Sequence, residues 1–229
     1  MSEIAANLAR VGERIAAACR RSGRDPSQVR LISVTKNVPV ERMQEAIASG
    51  VTAVGENRVQ EAVAKYAQLG HAVEWHLIGY LQTNKVRQLL PWVHLIHSLD
   101  RLGLAAELQR QAERTDQEAI RVLLQVNVAG EISKHGLAPG EVMPFLHRLA
   151  DYPRLKVCGL MTIAPLTGNS EDTRPVFREL RLLGERIAAG ARPGVEMQYL
   201  SMGMSQDFEV AIEEGSNMVR IGTAIFGRR

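Results

Sequence analysis

A chain of 229 residues fits one large α/β domain or two small ones, and its 45% hydrophobic share allows a sizeable core, which 4% aromatics make aliphatic. The 28 basic and 25 acidic residues are interleaved and leave a net charge of +3; that argues against nucleic acid as the main partner and suits a small anionic ligand. No run approaches the roughly 18 apolar residues of a membrane span, and Arg10, Glu13 and Arg14 interrupt any secretory apolar stretch, so a soluble, cytoplasmic protein is expected.

Residues 3–22 read as an amphipathic helix, with Ile4, Leu8, Val11, Ile15 and Cys19 on one face and Gly23 as its stop. From there apolar runs alternate with helical patterns. Strands are expected at 31–35, 52–55, 73–78, 93–97, 121–127, 156–161, 197–201 and 218–222. Helices are expected near 39–49, 58–69, 83–90, 100–115, 139–151, 171–189 and 206–214. Strict alternation with continuously apolar strands means a parallel sheet covered by helices. Eight repeats predict a single α/β domain over 1–229, a (β/α)8 TIM-like barrel with an extra N-terminal helix within 1–24. An open doubly wound sheet is the alternative, but no Gly-rich dinucleotide fingerprint follows the first strand. Cys19 and Cys158 lack any disulfide, metal or redox spacing and read as small buried hydrophobes.

In such barrels the catalytic and binding groups come from strand C-terminal ends and the loops after them. Lys36 closes the apolar run Leu31-Ile32-Ser33-Val34-Thr35 at such an end. An amine there can form a Schiff base with an aldehyde or ketone; the plainer reading is a strand-end lysine reaching for water. The same level collects Glu56-Asn57, His76, His97-Ser98, Asn127, Met161-Thr162, Ser201 and Arg220. Strand seven runs into Ser201-Met202-Gly203-Met204-Ser205, where Gly203 permits close approach of backbone to a ligand and Ser205 can cap the next helix. Strand eight ends at Arg220-Ile221-Gly222-Thr223. Loops after strands seven and eight are the usual phosphate site of this fold, so backbone N–H groups at Gly222 and Thr223, with the hydroxyls of Ser201 and Thr223, are candidates for a phosphate cup. Ordinary tight loops closing a barrel would read the same way. A lysine opposite a phosphate cup is the minimum needed to hold pyridoxal phosphate. Arg220 can only donate hydrogen bonds, so against the pyridine nitrogen it would weaken the ring as an electron sink.

Leu31 to Lys36, Gly55 to Glu61, Trp75 to Lys85, His97 to Asp100, Val126 to Lys134 and the whole 200–227 stretch resemble the pyridoxal phosphate homeostasis proteins (YggS/PROSC type). The resemblance implies a barrel similar to the N-terminal domain of alanine racemase, with pyridoxal 5'-phosphate as a Schiff base on Lys36. It further implies phosphate contacts from Ser201, Gly222 and Thr223, ring contacts near Asn57 and Met202, and Arg220 facing the ring nitrogen. Arg58 stands where the family pattern suggests an aromatic residue, and Asn217 where it suggests threonine.

The implied role is a carrier or buffer of the cofactor in vitamin B6 homeostasis, with pyridoxal phosphate-dependent apo-enzymes as recipients and a monomeric or weakly dimeric state. A non-enzyme is expected, with no catalytic or metal-binding residue assigned: eight β/α units consume the chain, leaving no second domain to supply an opposing base. Of the four tyrosines only Tyr80 falls in a top-face loop. The alternatives are a weak racemase or lyase with His76 or Tyr80 as second base, and a cofactor-free lysine aldolase. Lys85 and Arg87 read as a solvated helix face before they read as a basic patch for an acidic partner.

Overall fold

The computed structural model describes residues 2–190 and 192–227. The first helix, α1 (Glu3–Arg21), starts where the Ser2 side chain accepts from the Ala5 N–H and ends on Arg20 and Arg21, whose charges suit a helix C-terminus. Its buried face is Ile4, Val11, Ile15, Ala18 and Cys19. Strands β1 (Arg30–Val34), β2 (Ala53–Glu56), β3 (Glu74–Leu77), β4 (Leu95–Leu99), β5 (Ile120–Gln125), β6 (Leu155–Met161), β7 (Val195–Ser201) and β8 (Met218–Ile221) form a closed barrel in sequence order, all pairs parallel. Between them run α2 (Val40–Ala48), α3 (Val59–Leu69), α4 (Val86–Leu89), α5 (Leu102–Arg114), α6 (Val142–Leu149), α7 (Arg174–Ala188) and α8 (Phe208–Glu213). A one-turn helix, α9 (Thr223–Phe226), follows β8.

The eight strands and the N-terminal helix lie where the hydrophobic pattern puts them. One expectation shifts and one element is new. The helix over 83–90 resolves into a 3-10 turn, Thr83–Lys85, followed by the single turn of α4. Helix α9 has no pattern of its own, being four residues held by the loops around it.

Alternation along the strands sorts the core into two layers. Leu31, Val54, Trp75, Leu77, Ile96, Val122, Leu124, Val219 and Ile221 face the helices. Ile32, Ala53, Leu95, Leu123, Cys158, Met161 and Met218 fill the barrel. Both cysteines are buried and unpaired, as small hydrophobes would be. Strands β7 and β8 share a single register pair, Ser201 with Met218. Asn217 supplements it: its Oδ1 accepts from Leu200 N at 2.8 Å and its Nδ2 donates to Gln198 O at 2.6 Å. Helix α1 packs on α8 and α9, where Asn7 Nδ2 donates to Ile225 O at 2.8 Å, so the N-terminal helix braces the loops after the last two strands. Among the described residues no helix is long and apolar enough to cross a membrane.

Candidate functional site

Lys36 lies two residues beyond the end of β1, exposed, in a turn fixed by hydrogen bonds at Thr35 and Asn37. Thr35 is fully buried; its hydroxyl donates to Glu56 Oε1 at 2.6 Å. Lys65, itself buried, donates to the Thr35 carbonyl at 2.6 Å, to Glu56 Oε1 at 2.8 Å and to Glu61 Oε1 at 2.6 Å. Glu61 also accepts from Asn37 N at 2.5 Å. Asn37 has φ 56, a left-handed conformation that asparagine tolerates better than most residues. Burial pushes the Glu56 carboxyl up, against the lowering pull of its bonds to Lys65 and Thr35. The backbone is thus pinned on both sides of Lys36.

Arg220 enters from β8 on the inner face, almost wholly buried. Its Nη1 donates to Ser201 Oγ at 2.7 Å and its Nη2 to Thr162 O at 2.8 Å. Burial lowers its pKa to about 10, which leaves the guanidinium charged at neutral pH.

Two cavities meet at Val34, Lys36, Met204 and Arg220. The larger, ≈ 990 Å³, runs past Ser205, Gly222 and Thr223 and is bounded on its other side by residues 165–170. The smaller, ≈ 260 Å³, is lined by Asn57, Gly79, Tyr80, Asn127, Lys134 and His135. Tyr80 stacks on His135 with ring centroids 4.4 Å apart, and the Arg101 guanidinium lies 4.2 Å from the Tyr80 ring centre. Gly79 is required here because a Cβ would lie 2.3 Å from Asn57 O.

Of the seven residues expected at a ligand, Lys36, Arg220, Gly222 and Thr223 line the larger cavity and Asn57 the smaller. Ser201 and Met202 line neither. The Ser201 hydroxyl is turned into the barrel, between Arg220 Nη1 and His97 Nδ1. The Met202 side chain, one residue on, points the other way into the helix-facing core. Met204 occupies the wall that Met202 was expected to supply.

Three further expectations change. Gly203, at φ 92, serves packing rather than a ligand: a Cβ would sit 2.6 Å from Ala211 Cβ. Ser205 does not cap α8; its hydroxyl accepts from Ala224 N at 3.3 Å and ties the β7 loop to α9, while Asp207 Oδ1 accepts from Met204 N at 2.6 Å. His76 and His97 lie inside the barrel below the cavities, hydrogen-bonded to each other at 2.9 Å. Burial lowers His76 to about 4 and holds His97 well below the ordinary imidazole range. A base buried so deeply cannot reach a ligand on Lys36, which removes His76 as an opposing base.

The alanine racemase N-terminal domain model matches residues 6–229. The pyridoxal phosphate homeostasis protein of Aquifex aeolicus (strain VF5) is 48% identical over 225 residues, spanning 97% of this chain and 96% of that one. The chain belongs to the pyridoxal phosphate homeostasis protein family. A second member, from Escherichia coli (strain K12), is 42% identical over 236 residues, covering 100% of this chain and 98% of its own. Among solved structures, PipY of Synechococcus elongatus PCC7942, described with PLP bound, superposes with a TM-score of 0.81 at 37% identity, over 95% of this chain and 100% of that one. The barrel and its N-terminal helix are therefore those of the family.

Proposed function

We propose that this chain holds pyridoxal 5'-phosphate on Lys36 and serves vitamin B6 homeostasis in the cytoplasm as a carrier or buffer, without robust catalysis of its own. The observation that carries this reading is the meeting of two cavities at Lys36 and Arg220, one of them ending at Gly222 and Thr223. The relatives' names and the PLP-bound PipY structure support the same ligand.

The residues present fit that group. Pyridoxal phosphate supplies an aldehyde that an amine captures as an imine with loss of water, and a ring able to withdraw electrons. Lys36 provides the amine, at a point fixed by its pinned neighbours. Gly222 leaves the cavity wall open to backbone approach, and the Thr223 hydroxyl can donate to a phosphate at the start of α9. Asn57 borders the opposite side. Arg220, which donates and never accepts, favours an unprotonated ring nitrogen and so restrains electron withdrawal. Ser201 acts behind Arg220 rather than on the phosphate. Both cavities open to solvent, which suits exchange with recipient apo-enzymes.

The test is the absorbance spectrum of purified protein with added pyridoxal phosphate, before and after borohydride, with the reduced adduct mapped by mass spectrometry. The expected adduct sits on Lys36 and disappears in Lys36→Ala. A full adduct in that variant moves the attachment elsewhere and overturns the assignment.

One observation favours a second reading, a slow amino-acid racemase or lyase: Tyr80 and His135 line the smaller cavity beside Lys36. Steady α-deuteration of an amino acid in deuterated water, lost in both Lys36→Ala and Tyr80→Phe, would select it over the carrier.

A further inference from the structure

A file of polar side chains crosses the barrel interior from the site to its opposite end. Arg220 Nη1 meets Ser201 Oγ at 2.7 Å, Ser201 Oγ meets His97 Nδ1 at 3.0 Å, and His97 Nε2 meets His76 Nδ1 at 2.9 Å. His76 Nε2, buried and with no hydrogen-bond partner among the described residues, lies 3.9 Å from Glu74 Oε2, longer than a hydrogen bond but within reach of the carboxylate's field. Glu74 lines a cavity of ≈ 410 Å³ at the other end of the barrel, with His94 Nε2 at 3.1 Å and the Arg30 guanidinium in contact.

Both ends of this file have one sense only. A guanidinium can only donate, so Ser201 Oγ accepts from Arg220. That hydroxyl can still either donate to His97 Nδ1 or accept a second bond from it, so the sense is decided at the far end. There a carboxylate, which can only accept, favours the His76 proton on Nε2; His76 Nδ1 then accepts from His97 Nε2, and His97 Nδ1 accepts from Ser201. The reverse order would set an imidazole lone pair against the Glu74 anion. The glutamate is an anion because His76 and Arg30 hold its pKa down, to about 2. Both imidazoles stay neutral for want of solvation.

We infer that Glu74, His76 and His97 are positioning residues: they orient the Ser201 hydroxyl as an acceptor and thereby fix the guanidinium of Arg220 at the floor of the site. The part of this inference that concerns a bound ring rests on the function proposed above; the part that concerns Arg220 does not.

The test uses nitrogen-15 NMR of the protein without added cofactor. Wild type is expected to carry the His76 and His97 protons on Nε2 at neutral pH. In Glu74→Leu the tautomers become mixed, and the Arg220 Nη protons exchange about tenfold faster, close to the lower end of what one hydrogen bond to a charged group is worth. Glu74→Gln retains an acceptor and restores the wild-type pattern. A His97 proton on Nδ1 in wild type overturns the inference, and so does unchanged Arg220 exchange in Glu74→Leu. Should Glu74→Leu fail to fold, the wild-type tautomers decide alone. In protein loaded with pyridoxal phosphate, Glu74→Leu is expected to shift the absorbance maximum and Glu74→Gln to leave it. Faster Arg220 exchange without that shift keeps the positioning role and removes the contact between Arg220 and the ring.

Discussion

Lys65 donates to the Thr35 carbonyl at 2.6 Å, so a buried ammonium on α3 holds the backbone immediately before Lys36. The same ammonium neutralises Glu56, a carboxylate nearly without solvent exposure. Removing one partner of a buried ion pair leaves an uncompensated charge, which typically destabilises by about 3–5 kcal/mol. Lys65→Met is therefore expected to lower stability to urea by about that amount. Adding Glu56→Gln should recover a large part of the loss. If the double variant is as unstable as the single one, the pair is not coupled as described.

The two interior histidines predict how stability falls with acid. His76 has a folded value of about 4 against an ordinary 6.5, so the unfolded chain takes up its proton first as pH drops. The stabilising difference is complete above about pH 6.5 and is lost as pH falls toward 4, amounting to on the order of 3 kcal/mol for His76. His97 shifts in the same direction. Glu74, depressed from 4.5 to about 2, adds a loss over that lower window. Urea titrations at a series of pH values should show a steep decline below pH 6.5 that flattens in His76→Asn.

Asn217→Thr tests the seam between β7 and β8. Threonine has one hydroxyl on a shorter side chain, where the asparagine amide reaches Leu200 N with Oδ1 and Gln198 O with Nδ2. Losing these bonds is expected to destabilise by about 1–3 kcal/mol. Hydrogen exchange at the Leu200 amide should accelerate along with it. Wild-type protection at Leu200 in the variant would show that the strand pairing suffices without Asn217.

Tyr80 is 42% exposed and lies between Arg101 and His135 at the wall of the smaller cavity. An exposed stack of this kind contributes about 0.5–1 kcal/mol, so Tyr80→Ala should barely alter stability. It should speed transfer of bound pyridoxal phosphate to an acceptor apo-enzyme several-fold. Unchanged transfer kinetics would assign the stack to surface packing only.

Strand positions were legible because parallel barrel strands are continuously apolar and separated by helical periodicity, a signal carried by dozens of residues. The position of Lys36 at a strand end came from the same pattern. What the sequence did not disclose was side-chain direction at β7. Ser201 and Met202 are adjacent, so they face opposite sides of the sheet, and neither lines a cavity. Met204, two residues beyond Met202, supplies the wall. His76 and His97 were placed at the rim because their strands end nearby. Inside the barrel His97 pairs with Ser201, 104 residues away, and His76 pairs with His97, contacts that no local pattern encodes. The Lys65–Glu56–Thr35 contacts were equally hidden, since a lysine on an amphipathic helix ordinarily reads as surface.

The junction of two cavities at Lys36 also bears on the order of events in a handover. If Lys36 carries the cofactor as proposed, an incoming amine admitted through the smaller lobe would reach the attachment point while the larger lobe still held the phosphate. Exchange on such a geometry would be associative: its rate would rise with the concentration of the acceptor amine instead of levelling at the rate of spontaneous departure. The cargo would then pass from one covalent partner to the next with little of it ever free in solution, where a reactive aldehyde does harm.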